Sequence, residues 1–252
     1  LSGSGIPQTG RRQTLIHPAK TRQKTSSQPI SVPEPNHPVS EDPISLITGL
    51  ANQLRAIAMR RFYPFAAMGA DFRVHHSVDL ARPIAPYVKI GDSVRLDREV
   101  WINIPEKPAT SAPVVIFENG VRLGARCVIS AINRVHFEND VILAPHVLIM
   151  DHNHAFEDVR VSIKYQSITT GGTIRIETGC RIGYGTAIVC GKGDLVIGRN
   201  SVIGANSVVT RSLPPNSVAS GNPARAVKLF DPSERESAPS SAARAAASSP
   251  SQ

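Results

Sequence analysis

The chain has 252 residues, of which 41% are hydrophobic and only 5% aromatic, with 18 Gly and 20 Pro. That length suits one packed domain with tails, and so few aromatics among so many turn formers argue against a helical bundle or an aromatic-rich sandwich. The formal charge of +8 is concentrated partly at Arg11, Arg12, Lys20, Arg22 and Lys24, and no helix-turn-helix, aromatic RNA-binding strand or zinc finger accompanies it, so no nucleic-acid partner is expected.

Residues 1–41 are rich in Pro, Ser, Thr and Gln and poor in bulky apolar side chains, so little burial would offset the entropy of ordering them. They are expected to be a disordered leader. From Ser45, the residues Leu46, Leu50, Leu54, Ile57 and Ala58 recur at three and four positions, the spacing of an apolar stripe on a helix. Residues 42–75 therefore read as an amphipathic helical segment, with the helix ending before Pro64. Its basic residues Arg55, Arg60 and Arg61 stand beside Phe62, Tyr63 and Phe65. Two readings of them stay open, a solvated helix face, which is the simpler, and peripheral contact with an anionic membrane surface. Residues 76–230 are expected to form the main domain, and 231–252, rich in Ser and Ala, a second disordered tail.

Cys127, Cys180 and Cys190 are odd in number and form no CxxC pair, which argues against a zinc ribbon or a disulfide scaffold and for a reducing compartment. No run of about 18 apolar residues exists and no secretory signal is visible, so the expected location is cytoplasmic, or peripheral at the inner face of the membrane.

The main domain carries a repeat of six. Ile90, Leu96 and Ile102 form one set; Phe117, Leu123 and Ile129 another; then Phe137, Leu143, Ile149; Ile176, Ile182, Ile188; and Ile197, Ile203, Val209. Helical packing needs apolar spacings of three and four, whereas a strict six places one inward aliphatic on each flat face, with three faces per coil of about eighteen residues. Gly after the inward aliphatic, as in IGYGTA and IGANSV, is accounted for by corner dihedrals and close backbone approach. The phase slips between Ile129 and Phe137, across 151–173 and between Ile188 and Ile197, so extra residues must leave the coil as loops, and EKPATSAP interrupts it earlier.

These hexads resemble the hexapeptide-repeat acyltransferase family over about residues 84–229. The resemblance implies an all-β, left-handed parallel β-helix, commonly assembled as a homotrimer. The segment IGRNSVIGANSVVTRSLPPNSVASGNPARAVK from Ile197 to Lys228 resembles the end of sugar O-acetyltransferases. Upstream, VLIMDHNHAFEDV and IRIETGCRIGYGTAIV are similar to the subgroup that acetylates cell-surface polysaccharide, lipopolysaccharide or capsule sugars. One departure is Arg181, where members often carry Trp.

Acetyl transfer from a thioester to a hydroxyl needs a base, because an alcohol is a poor nucleophile until its proton is removed, and an imidazole is available for that near neutral pH. Asp151, His152, Asn153 and His154 open the largest insertion. The resemblance places the base at His154, with His152 as the alternative; otherwise both are polar loop residues. Asp151 either orients a His or closes an Asx-turn. Asn133 resembles an Asn that contacts the acceptor hydroxyl in galactoside enzymes. His136 and His146 are expected to face outward.

The resemblance further implies acetyl-CoA as co-substrate, lying in a groove between subunits, and no metal. Gly183, Gly185, Ala187, Gly204, Ala205 and Ser207 are small enough for the pantetheine arm to approach the backbone, a need compatible with their corner geometry. Arg211, Arg225 and Lys228, and more weakly Lys192, are candidates for the adenosine phosphates. The acceptor partner is expected to be a glycan. Two rival readings remain: a γ-type zinc carbonic anhydrase drawing on His146, His152 and His154, and a catalytically silent β-helical scaffold. GTAIVCGKG has the wrong spacing for a phosphate-binding P-loop, and no Ser or Thr follows its Lys.

Overall fold

A computed structural model of the chain describes residues 43–169 and 171–231. The expected leader 1–41 and nearly all of the expected tail 231–252 lie outside the described residues.

The helix α1 spans Pro43–Phe62. Proline suits the first helical position, where its missing N–H would lack a partner in any case. At the other end Arg82 Nε donates to the Phe62 carbonyl at 2.8 Å, meeting one of the acceptors a helix terminus leaves over, and Pro64 follows. The side resting on the rest of the molecule carries small and polar groups. Met59 is buried, Ala56 packs against the core, Asn52 Oδ1 accepts the His76 N–H at 2.7 Å, and Arg55 donates to the Val78 carbonyl at 3.3 Å. The periodicity locates the helix correctly, but its aliphatic stripe points outward: Leu46, Leu50, Leu54 and Ile57 are all exposed.

After the helix the chain winds into a three-sided prism. Two of its sheets have six strands and one has eight, and within the coils all pairing is parallel. The sets of six fall into register on the three faces. Ile90, Phe117, Phe137, Ile176 and Ile197 stack on the first face; Leu96, Leu123, Leu143, Ile182 and Ile203 on the second; Ile102, Ile129, Ile149, Ile188 and Val209 on the third. All fifteen are buried. Spacing of six puts every third repeat on the same face one coil later, so the interior is three columns of aliphatics. Phe117 and Phe137 stack within the first column, with ring centroids 5.0 Å apart.

The prism begins earlier than expected. Ala67–Met68, Arg73–Val74 and Asp79–Leu80 form a first coil, with Met68, Val74 and Leu80 six apart and paired to Ile90, Leu96 and Ile102. The expected boundary at 75/76 therefore cuts through a coil; the helical spacing just upstream obscured the onset of the new period. At the far end Ser217–Gly221 extends the second face, and Ala224–Leu229 folds back on it antiparallel.

The three edges are built differently. Between the first and second faces the turn residue has positive φ at Asp71, Ser93, Gly120, Asp140, Gly179, Asn200 and Asn216. Between the second and third it does so at Glu99, Arg126, His146, Gly185 and Asn206. Asn, Asp and Gly tolerate this left-handed region best. The glycine after the inward aliphatic is another matter. At Gly183 a Cβ would lie 2.6 Å from both the Ala205 nitrogen and the Ile203 oxygen of the next coil. Stacking distance, not dihedral angle, demands that glycine, which corrects half of the sequence expectation.

The third edge, where the third face passes to the first, follows no fixed turn. Segments 104–114, 131–133, 151–169 and 190–191 all leave the coil there. Every phase slip seen in the sequence maps to this one open edge.

Candidate active site

Asp151 and His152 follow directly on the strand Leu148–Met150, at the point where the chain leaves the third face. Asp151 is fully buried. Its Oδ1 accepts the Ile132 N–H at 2.9 Å, and its Oδ2 accepts the N–H groups of Asn133 and Arg134, each at 2.9 Å. The amides of Ile132 and Asn133 belong to the short bend one coil earlier, and that of Arg134 to the first residue of the strand that follows it. A carboxylate is the side chain that can only accept, so it answers three donors at once. This is no Asx-turn within its own loop. The carboxylate ties one coil to the next.

His152 is 5% exposed, and its Nδ1 lies 3.0 Å from Asp151 Oδ1. Because the carboxylate accepts, Nδ1 carries the proton and Nε2 keeps its lone pair. His154, two residues on, is exposed and forms an antiparallel bridge with Ile168. That bridge belongs to the stem of the large loop. Asn153 accepts the Thr169 N–H at 2.7 Å and donates its own N–H to Thr169 Oγ1 at 3.0 Å, and the Ala155 N–H donates to the Ser167 carbonyl at 2.9 Å. His152 precedes this stem and is held against the prism by Asp151, whereas His154 lies within the stem and is exposed. Beyond the stem, Phe156, Ile163 and Tyr165 are exposed on the finger of the loop.

Asn133 belongs to the same cluster. A Cβ at Gly171 would stand 3.0 Å from Asn133 Nδ2, 3.3 Å from the His152 Cβ and 2.5 Å from the Asp151 carbonyl oxygen. Gly171, with φ of +70°, and Gly172, whose N–H donates to the Asp151 carbonyl at 2.7 Å, therefore close the site from below. Sequence reasoning missed both glycines and the amides of Ile132 and Arg134. The amides carry no residue-type signal, whereas the Gly171-Gly172 pair at the end of the insertion was a visible one.

Further along the open edge toward the N-terminal end, a cleft of about 340 Å³ is lined by Ile84, Tyr87, Ile104, Pro105, Glu106 and Lys107. In the opposite direction Lys192 and Arg211 are exposed on the following coils, Arg211 beside the same edge. The other cofactor candidates lie elsewhere. Gly183, Gly185, Gly204, Ala205 and Ser207 occupy the edge between the second and third faces, and Ala187 lies on the third face itself, between the two edges. Ser207 is buried, its hydroxyl donating to the Gly204 carbonyl at 2.7 Å and accepting the Gly221 N–H at 3.3 Å. Arg225 and Lys228 are on the last, antiparallel strand; Arg225 donates to the Ala224 carbonyl at 2.8 Å and the Lys228 ammonium stands 4.6 Å from the centre of the Phe230 ring.

His146 and His136 stand apart from the cluster. His146 is at the edge between the second and third faces with its ring 5.1 Å from that of Tyr184, and His136 Nε2 is 3.3 Å from Glu118 Oε1 on the first face. Within one chain His146 is therefore not gathered with His152 and His154, as a shared zinc site built from all three would need. Among the described residues no helix is long and apolar enough to cross a membrane.

No family model matches the chain. It is 31% identical over 156 residues to a putative acetyltransferase of Schizosaccharomyces pombe, covering 59% of this chain and 72% of that protein. Over 128 residues it is 30% identical to a putative lipopolysaccharide biosynthesis O-acetyl transferase of Escherichia coli K12, covering 47% of this chain and 62% of that protein. Over 93 residues it is 36% identical to the galactoside O-acetyltransferase of the same organism, covering 36% of this chain and 41% of that protein. For these last two, the match spans less than two thirds of the relative. Among solved structures, a variant of AntD, an N-acyltransferase from Bacillus cereus in complex with dTDP and coenzyme A, is similar with a TM-score of 0.57. The match covers 71% of this chain and 92% of that one at 16% identity, and identifies the prism as a left-handed parallel β-helix.

Proposed function

The chain belongs to the hexapeptide-repeat acetyltransferases, and on that premise we propose that it moves an acetyl group from acetyl-CoA to a hydroxyl of a cell-surface polysaccharide, lipopolysaccharide or related glycan. The observation that carries the reading is the buried Asp151–His152 pair on the open edge of the prism.

In this proposal His152, and not His154, is the general base. The donor and the acceptor sugar bind together, and Nε2 of His152 takes the proton of the acceptor hydroxyl as its oxygen attacks the thioester carbonyl carbon. The carbon–sulfur bond then breaks, the acetyl group stays on the sugar oxygen, and the imidazolium returns its proton to the departing thiolate. Asp151 remains ionised throughout. It holds the proton on Nδ1 and offsets the positive charge that His152 carries between the two transfers. His154, exposed in the loop stem, has no comparable partner for that task. Asn133, which shares the surroundings of Gly171 with His152, contacts the acceptor hydroxyl in this reading, and the cleft around Tyr87 and Lys107 on the same edge takes the remainder of a glycan.

Arg211 and Lys192 suit the phosphates of the donor, while Ala187 and Ala205 offer small side chains to the pantetheine arm; the space beside Gly183, Gly185 and Gly204 is taken by the next coil. In this proposal a second subunit set against the third face completes the groove for the donor. The exposed finger bearing Phe156, Ile163 and Tyr165 suits contact with that neighbour, as in a homotrimer.

The test is acetyl transfer from labelled acetyl-CoA to a panel of glycans. His152→Ala is expected to lower kcat by about 10²- to 10⁴-fold, and His154→Ala by far less. The reverse order would return the base to His154. Full transfer by both variants would end the general-base mechanism.

A further inference from the structure

The helix α1 is mounted with its bulky side outward. At about 100° per residue, Leu46, Ile57, Leu50, Arg61, Leu54 and Ile47 fall in that angular order within one arc of about 100°. The five aliphatics are between 58% and 70% exposed, and Phe62 at the end of the helix is 62% exposed. The opposite side, with Asn52, Arg55, Ala56 and Met59, is already engaged with the prism. A contiguous apolar stripe that the described residues leave in water points to something that covers it.

The charges on the helix indicate what that is. Between Pro43 and Phe62 there are three arginines and no Asp or Glu. Arg61 falls inside the stripe, and Arg60 flanks it with one guanidinium nitrogen donating to the Gly69 carbonyl at 2.7 Å and its other N–H groups left for a phosphate. Stripe-to-stripe contact with a second copy would bring the Arg61 residues into the interface with no carboxylate on either helix to pair them, and an unpaired buried charge is costly. An anionic lipid surface supplies what is lacking. Acyl chains accept the aliphatics, and phosphates at the headgroup level meet the guanidinium groups, which reach out along their apolar stems. On the second face of the prism, on which α1 rests, Arg73, Arg95 and Arg122 stand on successive rungs about 4.8 Å apart, Arg73 paired with Asp71 at 3.1 Å and Asp97 beside the others.

We infer that the outward face of α1 docks the protein peripherally on an anionic membrane surface, through Leu46, Ile47, Leu50, Leu54 and Ile57 with Arg60 and Arg61 at its end. This inference is independent of the transfer reaction, since none of these residues belongs to the Asp151–His152 cluster. The test is co-sedimentation of the full chain with vesicles of phosphatidylcholine alone and of phosphatidylcholine with about a third phosphatidylglycerol. The chain is expected to bind the anionic vesicles, to release them at high salt, and to bind the neutral ones more weakly. The double variant Leu50→Gln/Leu54→Gln should lose at least about tenfold in binding, and Arg61→Gln about fivefold. Because both leucines are exposed, the double variant should keep the wild-type unfolding midpoint. It also keeps the leader cations Arg11, Arg12, Lys20, Arg22 and Lys24, so its loss measures the stripe. Absence of wild-type binding to anionic vesicles overturns the inference, as does equal binding by the double variant. A drop in particle mass of the double variant in solution, with no vesicle binding by the wild type, would assign the stripe to a second copy instead.

Discussion

Gly171 stands against the backbone of Asp151: a Cβ added there would lie 2.5 Å from the Asp151 carbonyl oxygen, and its φ of +70° is one that side-chain-bearing residues rarely adopt. The chain re-enters the prism at this glycine after the largest insertion, directly beneath the carboxylate that holds His152. Gly171→Ala is therefore expected to lower stability by roughly 1–3 kcal/mol and to lower kcat by more than the residual fraction of folded protein explains. Thermal unfolding and transfer assays on the same preparation check both. An alanine variant with wild-type stability and turnover would show that the bend can relax without moving His152.

Asp151→Asn separates holding from charge. The amide of Asn offers one acceptor oxygen to three amide N–H groups, so at least one donor is left without a carboxylate oxygen, and a loss on the order of 1–3 kcal/mol is expected. Turnover should fall further, by up to about 10⁴-fold, because an Asn no longer enforces the Nδ1–H tautomer or offsets the imidazolium. The KM for acetyl-CoA should change little, since Asp151 is buried away from any donor. An equal loss in kcat and KM, or none in kcat, would reduce Asp151 to a tie between coils.

The buried thiols give a pH dependence. Burial pushes the Cys127 and Cys180 thiols up to about 11. In the unfolded chain a thiol titrates near 8.5, so above that pH the unfolded state sheds protons that the native state keeps. The stability linked to these thiols is fully present below about pH 8.5 and is lost as pH rises toward 11, by a few kcal/mol in order of magnitude for the pair. Urea unfolding at about pH 8 and about pH 10 should show this fall, and Cys127→Ala/Cys180→Ala should show a shallower one. Identical slopes in the two proteins would mean that other groups carry the alkaline dependence.

The columnar core predicts an uneven map of sensitivity. Phe117 is fully buried and stacked on Phe137, so Phe117→Ala should cost about 3–5 kcal/mol. Tyr165→Ala, on the exposed finger, should stay within about 0.5 kcal/mol in the isolated chain. A small effect at Phe117 would contradict a tightly stacked first face.

The repeat was readable because a spacing of six is a geometric instruction. Ile90, Leu96 and Ile102 each take a different face, and Phe117, Leu123 and Ile129 then land on the same three, with no longer-range information needed. The first coil escaped notice only because Met68, Val74 and Leu80 follow a helix with a different period. The insertions, too, were visible as lost phase. Local spacing could not show that they share one edge, because that depends on how many residues each face consumes before the chain turns.

The candidate site was legible in its residue types and not in its assignments. Asp151, His152 and His154 stood out as a cluster, and Asn133 by its resemblance to an acceptor-contacting Asn; that Asn133 adjoins the cluster is seen only in the fold. Which imidazole is buried follows from the contact of His152 with Asp151, and Asp151 in turn is held by amides seventeen to nineteen residues upstream. That second relationship is not local. From the order of its residues alone, then, this protein has its period, its inward aliphatics, its turn-forming corners and the place where its chemistry is inserted, since each is set by neighbours within a few positions. The packing of one coil upon the next decided which face of α1 meets water, which glycines are indispensable and which histidine is held by a carboxylate, because backbone donors without sheet partners acquire their acceptors only when separate turns of the prism are brought into contact.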